Sequence, residues 1–310
     1  IIWSTRTDLT NIDEDDARIL SGYHSTKGRL IVEGSDVAFR HGRDDFIHNV
    51  LHSELKDDIG FTFTSEEQLK SLSLNLTRNH PVLKNLPSHL KFNSTIDQFP
   101  DSIKPYNESA ELVSWNGADG SGIIAYEDAQ RRILFASFSM EALEPSESAV
   151  FINNIMEWIL ESSSLDIKPV RLEHGLLFEG EVSKTAVVHS TGQIPNDIKI
   201  QVFADGNKLS EATIRGDMFS NGEYSYPYAS FLGSGNHVVK VSVNTDFSAK
   251  ENNYINNIRA YNISVYPSQA DLLFSGMSYS YDENLQSILL SINVSNLGGT
   301  ATASTLKIKL

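Results

Sequence analysis

The sequence predicts a multidomain chain in which an α/β layered domain is followed by all-β sandwiches. Three observations predict it. Up to about residue 164, stretches with apolar residues at helical spacing alternate with short unbroken apolar runs, the pattern that lays helices on a sheet. After Ser162-Ser163-Ser164 helical spacing disappears, and short β-rich runs recur between turn residues. Finally, Ala270-Asp271-Leu272-Leu273 echoes Leu165-Asp166-Ile167-Lys168, and 291–298 echoes 185–192, an offset of roughly 105 residues that marks tandem domains. The expected domains are 1–164 (α/β), 165–267 (β-sandwich) and 268–310 (the first strands of a second, truncated copy).

The elements follow in order. Ile1-Ile2-Trp3-Ser4 reads as a buried strand that begins at the first residue. Asp13-Glu14-Asp15-Asp16 opens a helix carried by Ala17, Ile19, Leu20 and Tyr23, acidic residues being favourable in a first turn. Leu30-Ile31-Val32 is a strand that turns at Gly34-Ser35-Asp36. Phe46, Val50 and Leu51 share one face of a helix expected over about 42–55, and 66–74 gives another short helix. The Asn-, Ser- and Pro-rich stretch 75–109 reads as a long surface excursion. Strands follow at 111–115, 123–126 and 133–138, then a helix over about 146–163 whose apolar stripe is Val150, Ile152, Ile155, Trp158, Ile159 and Leu160. In the second half, apolar runs fall at 176–178, 185–189, 198–203, 224–231, 237–243 and 258–265. The stretch 304–310 alternates with period two and stops in mid-strand, so the chain reads as a segment of a longer polypeptide, lacking one strand–helix unit or more at its front.

Composition narrows the function. Of 310 residues, 25 are basic and 40 acidic, a formal charge of -15 that repels phosphate backbones and anionic lipid headgroups, so no nucleic-acid partner is expected. The chain has no Cys, which removes thiol nucleophiles, thiolate zinc sites and disulfides. No apolar run approaches the roughly 20 residues of a membrane span, so no membrane insertion is expected within this segment.

A resemblance emerges from Ile2-Trp3-Ser4, Asp15-Asp16, Gly28-Arg29-Leu30-Ile31-Val32-Glu33-Gly34-Ser35-Asp36, Phe46-Ile47-His48-Asn49-Val50-Leu51-His52 and Phe135-Ala136-Ser137-Phe138-Ser139-Met140-Glu141. Over most of 1–164 the chain resembles a flavodoxin-like domain of the glutamine-amidotransferase type, in the non-catalytic version found in large secreted bacterial and archaeal proteins. The resemblance implies a degenerate domain, incomplete at its amino terminus. An active amidotransferase uses a Cys at a strand-to-helix elbow, a His that takes its proton and a Glu that orients the His. Here the elbow holds Gly34-Ser35-Asp36, the place of the His holds Ser139, and only Glu141 survives.

Other residues invite a sharper reading. Ser35 could be an elbow nucleophile, but Gly-x-Ser-x-Gly is not present and Gly-Ser-Asp is a common turn. His48 and His52 stand four apart on the expected helix, the ligand spacing of His-Glu-x-x-His peptidases, with His41 and Glu54 near enough in sequence to complete a metal site. However, Asn49 stands where the general-base Glu would be, so the expectation is no catalytic residue, no cofactor and no metal, with His48 and His52 the candidates if one binds. Asp13-Glu14-Asp15-Asp16 could attract calcium but forms no Asp-x-Asp-x-Asp-Gly loop and reads as a solvated helix start. Gly117-Ala118-Asp119-Gly120-Ser121-Gly122 lacks a P-loop Lys and reads as a hairpin turn.

The second half resembles the CARDB family, immunoglobulin-like modules of prokaryotic surface proteins. The resemblance rests on Val188-His189-Ser190-Thr191-Gly192, Ile200-Gln201-Val202-Phe203-Ala204-Asp205-Gly206, Gly235-Asn236-His237-Val238-Val239-Lys240-Val241 and Glu251-Asn252-Asn253-Tyr254-Ile255-Asn256-Asn257. It implies Ig-like sandwiches without catalytic residues, and a turn in which Asn256 and Asn257 satisfy backbone groups. Five Asn-x-Ser/Thr sequons, at Asn75, Asn93, Asn107, Asn262 and Asn293, are candidate glycosylation sites. Together these readings anticipate a non-catalytic piece of an exported, cell-surface or extracellular protein, with archaeal surface glycoproteins a natural home. It would act as a structural or adhesive spacer or assembly unit, for instance in a surface layer or filament. Its partners would be other domains of the same longer chain, further copies of itself or surface proteins. The alternative is the accessory region of a large secreted peptidase or hydrolase whose catalytic domain lies outside this chain.

Overall fold

The computed structural model describes residues 1–5, 12–26, 28–42, 44–59, 71–93, 99–161, 163–267, 272–282 and 287–296. The described residues are mostly β, at 49% strand and 20% helix. It forms two compact units: Ile1–Asp166 together with Ala249–Asn257, and Ile167–Ser248 together with Ile258–Leu310. The turn 249–257, expected inside the sandwich, thus belongs to the first unit.

The first unit is built on a sheet of nine strands among the described residues: β1 (Ile2–Ser4), β2 (Arg29–Glu33), β3 (Ser53–Asp58), β4 (Ser73–Leu76), β5 (His89–Lys91), β6 (Asp101–Pro105), β7 (Ala110–Asn116), β8 (Ser121–Glu127) and β9 (Arg132–Ala136). The main path runs β1-β2-β9-β8-β7-β4-β5, with β6 joined to β8 and β3 to β6. Only β1, β2 and β9 are mutually parallel; the other pairings are antiparallel. The sheet is therefore mixed.

Helix α1 (Glu14–Ser25) starts with a capping box in which Asp13 accepts from Asp16 N and the Asp16 side chain accepts from Asp13 N. The acidic run expected as a solvated helix start does that work. Leu20 of α1, Val37 and Ala38 of α2 (Val37–His41), and Phe46 and Ile47 of α3 (Asp45–Asn49) pack on Leu30, Val32, Ile124 and Phe135 as one buried core. Ile31, on the opposite face of β2 by strand alternation, lines a groove with Ile155 of α4 (Pro145–Leu160).

Several expectations are corrected here. The helix over 42–55 is only α3, because Ser53–Asp58 is a strand. Of the second expected helix, 73–74 lies in β4 and 66–70 lies outside the described residues. The stretch 75–109 is no surface excursion: it carries β5, β6 and the second half of β4, and buries Val82, Leu83, Leu90 and Ile103. β1 is a sheet edge with Ile2 59% exposed, so it is not buried. The buried face of α4 is Phe151, Ile155, Trp158 and Ile159, while Val150, Ile152 and Leu160 are exposed.

In the second unit, β10 (Ile167–Glu173), β12 (Gly180–Ser190) and β15 (Glu223–Leu232) form one sheet. β11 (Leu177–Phe178), β17 (Ile258–Tyr266), β16 (Gly235–Val243), β13 (Ile198–Ala204) and β14 (Asn207–Ile214) form the other, in that order. β10 packs against β16 and β17 across the two sheets. Ile198, Ile200, Val202, Val239 and Val241 alternate into the buried interior, the pattern of a sandwich. β14, whose Asn-Lys-Leu-Ser-Glu-Ala-Thr-Ile sequence has no apolar run, is an addition to the strands read from sequence. β18 (Leu272–Asp282) and β19 (Ser287–Asn296) pair as an antiparallel hairpin. The strand expected at 304–310 lies outside the described residues.

Candidate functional site

The strand-to-helix elbow at the end of β2 is the first place to look for chemistry. Asp36, not Ser35, takes the left-handed conformation there (φ 60°), and Ser35 is 2% exposed. Asp101 lies against the start of α2, its Oδ2 accepting from Phe39 N at 3.0 Å, while its Oδ1 has no partner. Burial, together with the charges of Asp36 and Asp58, pushes the Asp101 carboxyl up to about 8 against the backbone hydrogen bonds that favour its anion. Ser139 is buried and its hydroxyl accepts from Glu141 N. Glu141 lines a shallow groove with Ile2, Ile31, Glu33 and Met140, and Glu33 Oε2 accepts from Met140 N at 2.6 Å.

The four groups considered for a metal site do not converge. His41 is occupied at both nitrogens, by Asp44 Oδ2 at 2.6 Å and Ile12 O at 2.9 Å, and Glu54 pairs with Lys104 at 3.1 Å. His48 stacks on Tyr106 with centroids 4.4 Å apart. His52 lies beyond the end of α3 with a left-handed backbone (φ 51°), so the i, i+4 helical spacing with His48 does not exist. Its ring stacks on Tyr126 at 3.6 Å and stands 5.6 Å from that of His24. Among the described residues no group of three or more His, Asp or Glu side chains could hold a metal ion.

Sequence reasoning missed a buried polar centre in the first unit. The Glu127 carboxylate receives three donors: His80 Nε2 at 2.7 Å, Trp158 Nε1 at 2.7 Å and Tyr254 N at 2.6 Å. His80 Nδ1 accepts from Val82 N, which leaves the hydrogen on Nε2. Arg132 donates to Trp158 O and Glu251 O, and its guanidinium lies over the Trp158 and Tyr254 rings. Tyr254 Oη accepts from Glu251 N and donates to Glu161. The 249–257 turn is held through these contacts. Its Asn residues differ from expectation: Asn253 Oδ1 accepts from Ile255 N and Asn256 N, whereas Asn256 and Asn257 donate to Asp166 and Glu251. The only sequence signal for this centre was the Glu-x-Asn-x-x-Asn-Asn string itself.

Asn93, Asn107, Asn262 and Asn293 are exposed, Asn107 at a left-handed turn position and Asn262 and Asn293 on strands. Asn75 is half-buried on β4 and its Oδ1 bonds to His89. No helix among the described residues is long and apolar enough to cross a membrane.

No family model matches the sequence, and no curated relative matches it. Among solved structures, the chain is similar to the CARDB domain of a Pyrococcus furiosus protein described in complex with di-metal ions (16% identity, 33% of this chain and 91% of that chain covered, TM-score 0.28). It is similar to a domain of a protein described as a cell surface protein of Methanosarcina acetivorans (17% identity, 32% and 90% covered, TM-score 0.28). A β-glucosidase from Listeria innocua is similar over 33% of this chain and 16% of its own (11% identity, TM-score 0.23). Each of these matches covers about a third of this chain.

Proposed function

We propose that the chain is a non-catalytic segment of an exported cell-surface or extracellular protein, serving as a structural and adhesive spacer or assembly unit. The second unit carries this reading. Its inward-facing strand residues are apolar packing groups, and its outward strand faces hold exposed sequon asparagines, Asn262 and Asn293. The first unit is a degenerate amidotransferase-like domain: an elbow without Cys, a buried Ser139 in place of a base, and a polar centre whose donors and acceptors are engaged with one another. A surface-layer or filament subunit is the specific form of this role, with other domains of the longer chain and further copies as partners. Fractionation of the native source with glycopeptide mass spectrometry tests it. The expected result is protein in the envelope or secreted fraction, with sugar on Asn107 or Asn262. Unmodified protein confined to the cytosol overturns the reading.

A further inference from the structure

Four imidazole nitrogens among the described residues of the first unit are buried without a hydrogen-bond partner: His24 Nε2, His48 Nε2, His52 Nδ1 and His52 Nε2. Folded proteins rarely leave such atoms dry, and a bound water or ion is the usual reason when they do. The His48 ring is stacked on Tyr106, whereas the His24 and His52 rings are neighbours. His24 ends α1 and His52 follows α3, yet their ring centroids are 5.6 Å apart at a tilt of 58°. The residues are 6% and 8% exposed.

His52 is held in place from several directions. Its ring lies flat on Tyr126, with 2° between the planes. Its carbonyl accepts from Tyr106 N at 3.0 Å and from Ser109 Oγ at 2.7 Å. Its backbone is left-handed (φ 51°), a conformation in which His, like Asn and Asp, is enriched among residues other than Gly.

The surroundings keep both rings neutral. Arg131 and Asp128 are the charged groups facing both rings, and they pair with each other, Arg131 Nε to Asp128 Oδ2 at 2.7 Å. Tyr126 Oη joins them, donating to Asp128 at 3.0 Å. At both rings the effect of Arg131 exceeds that of Asp128, which keeps the imidazoles neutral. Burial disfavours the imidazolium of both histidines, which keeps a lone pair available on each ring.

We propose that His24 and His52 form a two-imidazole site for a borderline transition-metal ion of the zinc, nickel or copper class, with water completing the coordination. Imidazole nitrogen suits these ions, whereas calcium and magnesium take oxygen ligands. Asp128 favours the bound cation and its partner Arg131 opposes it, so the affinity rests on the two imidazoles.

The test uses the full metal-stripped chain titrated with zinc chloride at neutral pH, with magnesium chloride as control, followed by calorimetry and imidazole nitrogen NMR. One zinc ion per chain is expected, shifting the ring resonances of His24 and His52 and leaving those of His41 and His80 in place. His24→Gln and His52→Asn, the latter suited to a left-handed backbone, are each expected to weaken binding about tenfold or more, and His48→Gln to leave it unchanged. Wild-type rings that do not respond to millimolar zinc, their nitrogens satisfied by water alone, overturn the site. So does unaltered affinity in both variants. The wild-type resonances decide the matter even where a variant fails to fold.

Discussion

Asp101 and Gly34 show how tightly the elbow is built. Buried Asp101 has its carboxyl raised from about 4 to about 8, so in this range the unfolded chain releases a proton that the folded chain retains. Stability from this group is therefore full below about pH 4 and is lost as pH rises toward 8. The Asp101→Asn variant, which keeps an acceptor for Phe39 N, is expected to flatten the decline; denaturant midpoints at pH 5 through 9 for both chains check this. Gly34 has a φ of +145°, and a Cβ there would collide with the Thr5 hydroxyl next to β1. Gly34→Ala is expected to cost about 2 kcal/mol or more, from strained backbone and overpacking together, measured by urea unfolding.

At the scale of elements, the 249–257 turn depends on Glu127. Removing that carboxylate strips an acceptor from His80, Trp158 and Tyr254 at once. Glu127→Ala is expected to destabilise the first unit by about 3–5 kcal/mol, read as a shifted unfolding midpoint. How legible such elements are depends on how local their causes are. Strands β7 to β9 and helix α4 could be read because their apolar spacing is regular over five to sixteen residues. β4 and β5, four and three residues long in Asn- and Ser-rich sequence, offer too few positions for a period to register. α3 was overextended because Val50 and Leu51 keep helical spacing, while the left-handed break at His52 comes from tertiary hydrogen bonds to its carbonyl. The polar centre was invisible for the same reason: His80, Glu127 and Tyr254 are far apart in sequence, and no spacing rule links them. The histidines fared alike, since His48 and His52 suggested a pair and the structure pairs His52 with His24.

For the whole molecule, the two units share their chain in an interleaved way: it leaves the first unit after Asp166, returns at Ala249 and leaves again after Asn257. The strands on either side of the returning turn, β16 and β17, pair with each other in the second unit. Opening the sandwich should therefore loosen the turn and, with it, the Glu127 centre. Hydrogen exchange is expected to show amides of β8 and β16 opening together in the wild-type chain and separately in Tyr254→Ala. The same interleaving bears on biosynthesis. A ribosome adding about 5–20 residues per second needs about 5–20 s to pass from Asp166 to Asn257. During that interval the nascent first unit has its Glu127 carboxylate and Arg132 guanidinium without the turn that completes them, a window in which holding by a chaperone would matter most.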